Sequence, residues 1–218
     1  MKKVSWMFML EIRSGKKVYE GREILNIPQL QLDKGIYWLQ GINGSGKTTF
    51  LRMIAGLIPF SGDILFDGIS LYQQPLPYRR QISLAEAEPL YPSFITGREM
   101  ISFYQHIRKA KSQQTDQLIH LFGMRPHLAT PIGAYSSGMI KRLSLLLALL
   151  GDTPLILLDE PLATLDAEAA HMLPGLIREY HQDHGTSFIF SSHQSFAAGS
   201  LTADKKLIAA GQTIQMMA

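Results

Sequence analysis

The run Ile36 to Leu39 is apolar, with aromatic and β-branched residues, and predicts a strand. Past Gly46 the period changes. Leu51, Ile54 and Leu57 recur at helical spacing, so a loop and then a helix are expected after that strand. Much later, Leu155 to Leu158 form an unbroken apolar run that stops at Asp159-Glu160, the pattern of a buried parallel strand. Another strand is predicted over Ser187 to Ser191, ending in Ser192-His193. Just ahead of Leu155, "GAYSSGMIKRLSLLLALL" (Gly133 to Leu150) leads from a Ser-Ser-Gly turn into an almost wholly apolar segment. Such a turn suits a helix cap, and it equally suits an anion held at a helix N-terminus. At the start, "MKKVSWMFML" has the basic residues and apolar run of a short signal peptide. The run breaks at Glu11 with no small-residue cleavage site, so a first β-strand is the better reading.

With 46% hydrophobic and 18% charged residues, the 218-residue chain has material for a substantial core, as one large domain or a core with a subdomain. The leucine-rich run Leu143 to Leu150 is interrupted by Ser144 and falls far short of the ~20 residues that span a bilayer. The chain itself is therefore not expected to cross a membrane. Net charge is +3, and Lys and Arg occur in small separated clusters, so no nucleic-acid partner is expected. The absence of cysteine excludes disulfides and thiolate metal sites and is compatible with a reducing cytoplasm.

Chemistry enters at Gly41 to Thr48, which match G-x-x-x-x-G-K-[ST] between the predicted strand and helix. Gly44 and Gly46 let the backbone wrap closely round phosphates, and the N–H groups of a loop holding Gly41, Asn43 and Ser45 point at the anion. Lys47 is expected to bridge the β- and γ-phosphates, Thr48 to offer its hydroxyl to Mg²⁺, and Thr49 to complete the loop. Two adjacent carboxylates at the tip of a core strand are costly unless a cation or a proton transfer uses them. Asp159 fits the Walker B position that orients Mg²⁺, and Glu160 the base that polarises an attacking water. In a parallel sheet the strand ends gather on one edge, so His193 is a candidate for reaching the γ-phosphate.

Phosphate loop, Ser-x-Gly turn, Asp-Glu strand end, Leu-Asp turn and strand-end His occur in one order, and that order resembles the ATP-binding cassette (ABC) ATPases over essentially the whole chain. The resemblance implies an α/β fold of the P-loop NTPase type. It has a mostly parallel core sheet, an N-terminal antiparallel β portion and a helical subdomain over about 75–150, all within one domain, 1–218. "TADKKLIAAGQTIQ" is similar to the family's last two strands, "LATLD" (Leu162 to Asp166) to its D-loop, and Tyr19 to the aromatic that stacks on adenine. The Ser-Ser-Gly turn then corresponds to the family's signature, here Tyr135-Ser136-Ser137-Gly138-Met139, which caps the γ-phosphate bound to a partner subunit. Glu86 stands at the Q-loop position, where Gln is usual, with Glu88 two residues on. As a carboxylate, Glu86 joins Thr48 and Asp159 as a candidate Mg²⁺ ligand. Met139 followed by Lys141-Arg142 resembles the cassettes of ABC-2-type exporters.

What the resemblance implies is an ATP-hydrolysing subunit with ATP and Mg²⁺ as cofactors. It would pair with a second ABC ATPase subunit and drive a separate integral membrane subunit from the inner face of the cell membrane. The alternative is a soluble, non-transport ABC ATPase that assists an assembly process.

Overall fold

A computed structural model describes residues 9–192 and 203–217. Most of the predicted N-terminal strand, and His193, lie outside these residues. Two sheets organise the rest. The first is antiparallel. Strand β1 (Leu10–Tyr19) turns through Glu20 and Gly21, both at positive φ, into β2 (Arg22–Leu32). Such a two-residue turn matches the natural twist of a hairpin. Strand β4 (Ser61–Phe66) lines the other edge of β1, and the short β5 (Ile69–Ser70) completes the order β2-β1-β4-β5.

The second sheet has the order β10-β9-β3-β8-β7-β6. Its strands are β3 (Ile36–Gln40), β6 (Ile82–Ala85), β7 (Leu155–Asp159), β8 (Ser187–Ser191), β9 (Lys205–Ala210) and β10 (Thr213–Met217). Pairing is parallel throughout except for the terminal hairpin of β9 and β10. Every residue of β7 and β8 is buried, which explains the unbroken apolar run of β7.

Side chains of β7 alternate between two cores. Leu155 and Leu157 face one core with Phe50, Leu51 and Ile54 of α1 (Lys47–Ile54), which also packs on Leu25, Ile27 and Tyr37. Ile156 and Leu158 face the other core, with Leu143, Leu146 and Leu147 of α5 (Ser137–Leu149) and Leu173 and Ile177 of α6 (Ala167–His184). Every residue from Leu143 to Leu149 is buried, so α5 needs no polar face over its last two turns.

Leu57 does not continue α1. Gly56 adopts the left-handed conformation (φ 67°) just after the Ala55 cap, and Leu57 is exposed beyond the break.

The stretch 75–150 holds α2 (Pro75–Arg80), α3 (Gly97–Arg108), α4 (Ser112–Leu121) and α5, and also β6, whose residues pair with Leu155 to Leu158. A reciprocal box between Thr96 and Glu99 starts α3. No helix among the described residues is long and apolar enough to cross a membrane.

Candidate functional site

The loop 41–46 leaves β3 and enters α1. A Cβ on Gly41 would lie 2.6 Å from the Ala209 carbonyl oxygen of the adjacent β9, so only glycine lets the loop start this close to the sheet. Gly46 has φ 98°, and a Cβ there would meet Leu25 Cδ2 at 2.9 Å. The loop thus combines left-handed backbone with contact to both sheets. Lys47 is the first residue of α1 and only 6% exposed. Its Nζ folds back to donate to the carbonyls of Gly41 (2.8 Å) and Ile42 (3.3 Å). Burial pulls its pKa below the usual lysine value, while the carboxylates of Glu160 and Asp159 push the other way and favour the charge.

Three element ends meet beside that lysine. Thr48 Oγ1 donates to Asp159 Oδ2 at 2.7 Å, and Ser191 Oγ donates to Asp159 Oδ1 at 2.5 Å. The backbone N–H of Glu160 donates to Ser191 Oγ at 2.9 Å. Glu160 has left the strand, with φ at 44°. From α5, Lys141 reaches in and donates to the carbonyls of Asp159 (2.8 Å) and Glu86 (2.9 Å). Burial pushes its pKa down to about 8 against the pull of Asp159 and Glu160. Tyr19, Asn43, Gly44, Lys47, Thr48, Thr49 and Glu160 share one cleft of about 350 Å³. Tyr19 is half-exposed at the end of β1, with Lys17 Nζ 4.3 Å from its ring centroid.

The remaining predicted residues lie elsewhere. Ser136, Ser137, Gly138 and Met139 are not among those lining the cleft. Ser136 caps α5 by accepting from Met139 N at 3.3 Å, and a Cβ on Gly138 would lie 3.0 Å from the Thr164 carbonyl oxygen. Asp166 caps α6 through Ala169 N at 3.0 Å and pairs with Arg142. Glu86 follows β6 and is ion-paired to Arg52 Nε at 2.6 Å, so it is turned toward α1 rather than grouped with Thr48 and Asp159. Thr48 and Asp159 present a hydroxyl and a carboxylate oxygen side by side. That donor set suits Mg²⁺, which takes one or two protein oxygens and fills its octahedron with phosphate and water.

A sequence profile described as ABC transporter matches residues 25–163. The chain belongs to the ABC transporter family. Among curated relatives, this ABC chain is 30% identical over 214 residues to the spermidine/putrescine import ATP-binding protein PotA of Thermotoga maritima. The match covers 95% of this chain and 58% of that protein. It is 30% identical over 192 residues to the ABC transporter ATP-binding protein NatA of Bacillus subtilis, covering 85% and 78%. The chain thus spans under two thirds of the length of the PotA relative. Two solved structures share the ABC fold. One is an ATP-binding subunit of an ABC transporter (TM-score 0.84, 23% identity, 96% of this chain and 90% of that one). The other is a dimeric ATP-binding cassette in a post-hydrolysis state bound to ADP and Pi (TM-score 0.83, 17% identity, 96% and 98%).

Two contacts in this ABC site have partners with no clear signal in the sequence. The sequence marks Ser191 only as the last residue of a strand, and the alternation of β8 does not say which neighbour its hydroxyl meets. Lys141 stands in the sequence as half of the basic pair Lys141-Arg142. A lysine one turn into an apolar helix is a signal that it has buried partners.

Proposed function

We propose that the chain is the ATP-binding and ATP-hydrolysing subunit of an ABC transporter. It would drive a separate membrane subunit by closing on a second cassette with ATP between them. The observation that carries this reading is the meeting of Lys47, Thr48, Asp159 and Glu160 at one edge of a parallel sheet, where strand carboxyl ends bind ligands. Lys47 Nζ exchanges the Gly41 and Ile42 carbonyls for β- and γ-phosphate oxygens, while the loop N–H groups and the start of α1 hold the rest of the triphosphate. Thr48 and Asp159 would hold Mg²⁺, which would supply charge neutralisation at the phosphates. Glu160 accepts the proton of the water that attacks the γ-phosphorus, and ADP leaves. His193 is proposed to contact the γ-phosphate and Tyr19 to stack on adenine, with Lys17 behind the ring strengthening it.

Ser136 and Ser137 are exposed and away from their own chain's cleft. That position supports their action on a partner's phosphate, with the N-terminus of α5 adding its dipole. A Q-loop role for Glu86 is tested by paired substitutions. The Arg52 pair is part-exposed and contributes at most about 1 kcal/mol, so Glu86→Ala is expected to leave thermal stability nearly unchanged while lowering ATP turnover. Glu86→Gln still offers an oxygen to a cation once the side chain leaves Arg52 on nucleotide binding, and is expected to retain activity. Full activity in Glu86→Ala beside a loss in Glu88→Ala transfers the role two residues along.

Around Glu86 lies a groove of about 560 Å³ whose rim carries Leu57, Leu90 and Phe103. Leu90 is 94% exposed and Phe103 59%, a concentration of apolar surface that supports docking of the membrane subunit here, at the cytoplasmic face. Removing two such side chains from an interface forfeits about 1.5–3 kcal/mol each. Leu90→Asp with Phe103→Asp is therefore expected to weaken co-purification of a multispanning partner in detergent by at least about 100-fold, leaving nucleotide binding intact. Undiminished co-purification moves the docking surface elsewhere, and capture of a soluble scaffold in place of a membrane protein replaces transport with assembly.

A further inference from the structure

We infer that Lys141 is a positioning residue for Glu160. It grips the peptide that carries the Glu160 carboxylate and ties its direction to the helix that begins at the Ser136 turn. The inference rests on the ATPase reading above.

Lys141 is 1% exposed and lies two residues before the leucine face of α5. An ammonium so deeply buried needs hydrogen-bond acceptors and countercharge. Both acceptors are main-chain carbonyls of functional segments. Asp159 O, at 2.8 Å, closes β7, and Glu86 O, at 2.9 Å, opens the segment after β6. The countercharge comes from the Asp159 and Glu160 carboxylates.

The peptide joining Asp159 to Glu160 is therefore held at both ends. Its carbonyl accepts from Lys141, and its N–H donates to Ser191 Oγ at 2.9 Å. Ser191 is itself fixed, since its hydroxyl donates to Asp159 Oδ1 at 2.5 Å. A peptide group is planar, so two grips on opposite edges define its plane. The next backbone torsion is φ of Glu160, at 44°, a left-handed value that a side chain other than Gly or Asn rarely adopts. A residue relaxing from that value swings its side chain away, so holding the plane holds the carboxylate's direction.

The geometry also joins two remote points to the reacting water. Ser136 caps the helix whose second turn carries Lys141, and Glu86 supplies the other carbonyl on the same ammonium. A shift of α5 on engaging a partner, or of the segment after β6 on docking, pulls on the Asp159 carbonyl through a single side chain.

The test is steady-state ATP turnover and nucleotide affinity of Lys141→Met and Lys141→Gln in the intact chain. Methionine matches the lysine stem but donates nothing. Lys141→Met is expected to lower kcat by about 10- to 100-fold, the effect of a misdirected base, with KM for ATP changed by less than about threefold. Glutamine keeps amide donors for the carbonyls and recovers part of the loss. In a Glu160→Gln background, Lys141→Met changes single-turnover hydrolysis by less than about twofold, because the carboxylate it directs is gone.

Wild-type kcat in Lys141→Met overturns the inference. So does a parallel fall in nucleotide affinity, the mark of a loosened fold, or a full additional loss on top of Glu160→Gln. Should the methionine variant fail to fold, Lys141→Gln decides by the same criterion: reduced kcat at unchanged KM supports positioning, and unchanged kcat excludes it. An unaltered chain that turns over no ATP defeats the ATPase reading and this inference with it. Activity in the unaltered chain together with an inert Lys141→Met defeats the inference alone.

Discussion

Lys47→Ala is expected to slow ATP hydrolysis by about 10²–10³-fold, equivalent to about 2.7–4 kcal/mol of lost transition-state stabilisation. Lys47 Nζ is the cation nearest the loop carbonyls, and it offsets the field of Asp159 and Glu160. Alanine removes a point charge and a donor from the phosphates, and it leaves the two carboxylates repelling them. The loop carbonyls of Gly41 and Ile42 also lose their internal partner, so nucleotide affinity should fall together with turnover. Turnover in the purified complex and titration with a fluorescent nucleotide read both effects. Turnover within about threefold of the unaltered chain removes this loop from the reaction.

The second large effect is a change of assembly. Glu160→Gln keeps shape and hydrogen-bonding capacity but cannot accept the water's proton, so ATP binds and stays. With MgATP the variant is expected to elute as a closed dimer in size exclusion, while the unaltered chain alone runs mainly as a monomer. Ser136 is exposed at the start of α5, so Ser136→Arg changes its surface without disturbing the core. The bulk and charge of Arg at the contact with a partner's phosphate should prevent closure. Glu160→Gln with Ser136→Arg is then monomeric even with MgATP. A double variant that closes as readily as Glu160→Gln alone reduces Ser136 to the helix cap seen in its bond to Met139 N. Mixing Ser136→Arg chains with Lys47→Ala chains produces one composite site with both lesions and one with neither, and recovered activity would place the two residues on opposite subunits.

The parts of the site legible in the sequence are those whose chemistry is local. A glycine loop between strand and helix, with Lys47 and Thr48 at its end, has few other uses. Leu155 to Leu158 announce a buried strand, and the strand end puts Asp159 and Glu160 at a sheet edge whatever the neighbours are. Less accessible were the relations set by tertiary contact. Nothing in the linear pattern indicates that Ser191 faces Asp159 or that Glu86 meets Arg52. Nor does it indicate that Lys141 bonds two carbonyls 55 and 18 residues away. The helical period runs on to Leu57, beyond the end of α1 at Ile54. Gly56 sits between, and a left-handed glycine outweighs periodicity. The antiparallel sheet is expected only from the family resemblance, and nothing in the linear pattern indicates that β4 joins the far edge of β1.

The position of β3 has a consequence for how the protein is made. Its neighbours in the sheet are β8 and β9, so a strand near residue 38 finds both partners only beyond residue 187. The antiparallel sheet draws on residues 10–70 alone and has its pairings available early in synthesis. The phosphate loop is the opposite case, because its first glycine rests against Ala209. At 5–20 residues per second, roughly 10–30 s separate translation of the loop from translation of its last support. During that interval β3 and then β7 emerge as apolar segments without their sheet, the kind of exposed surface that recruits chaperones. On a ribosome-bound chain Gly41 thus lacks the β9 backbone it rests against until translation has passed residue 209.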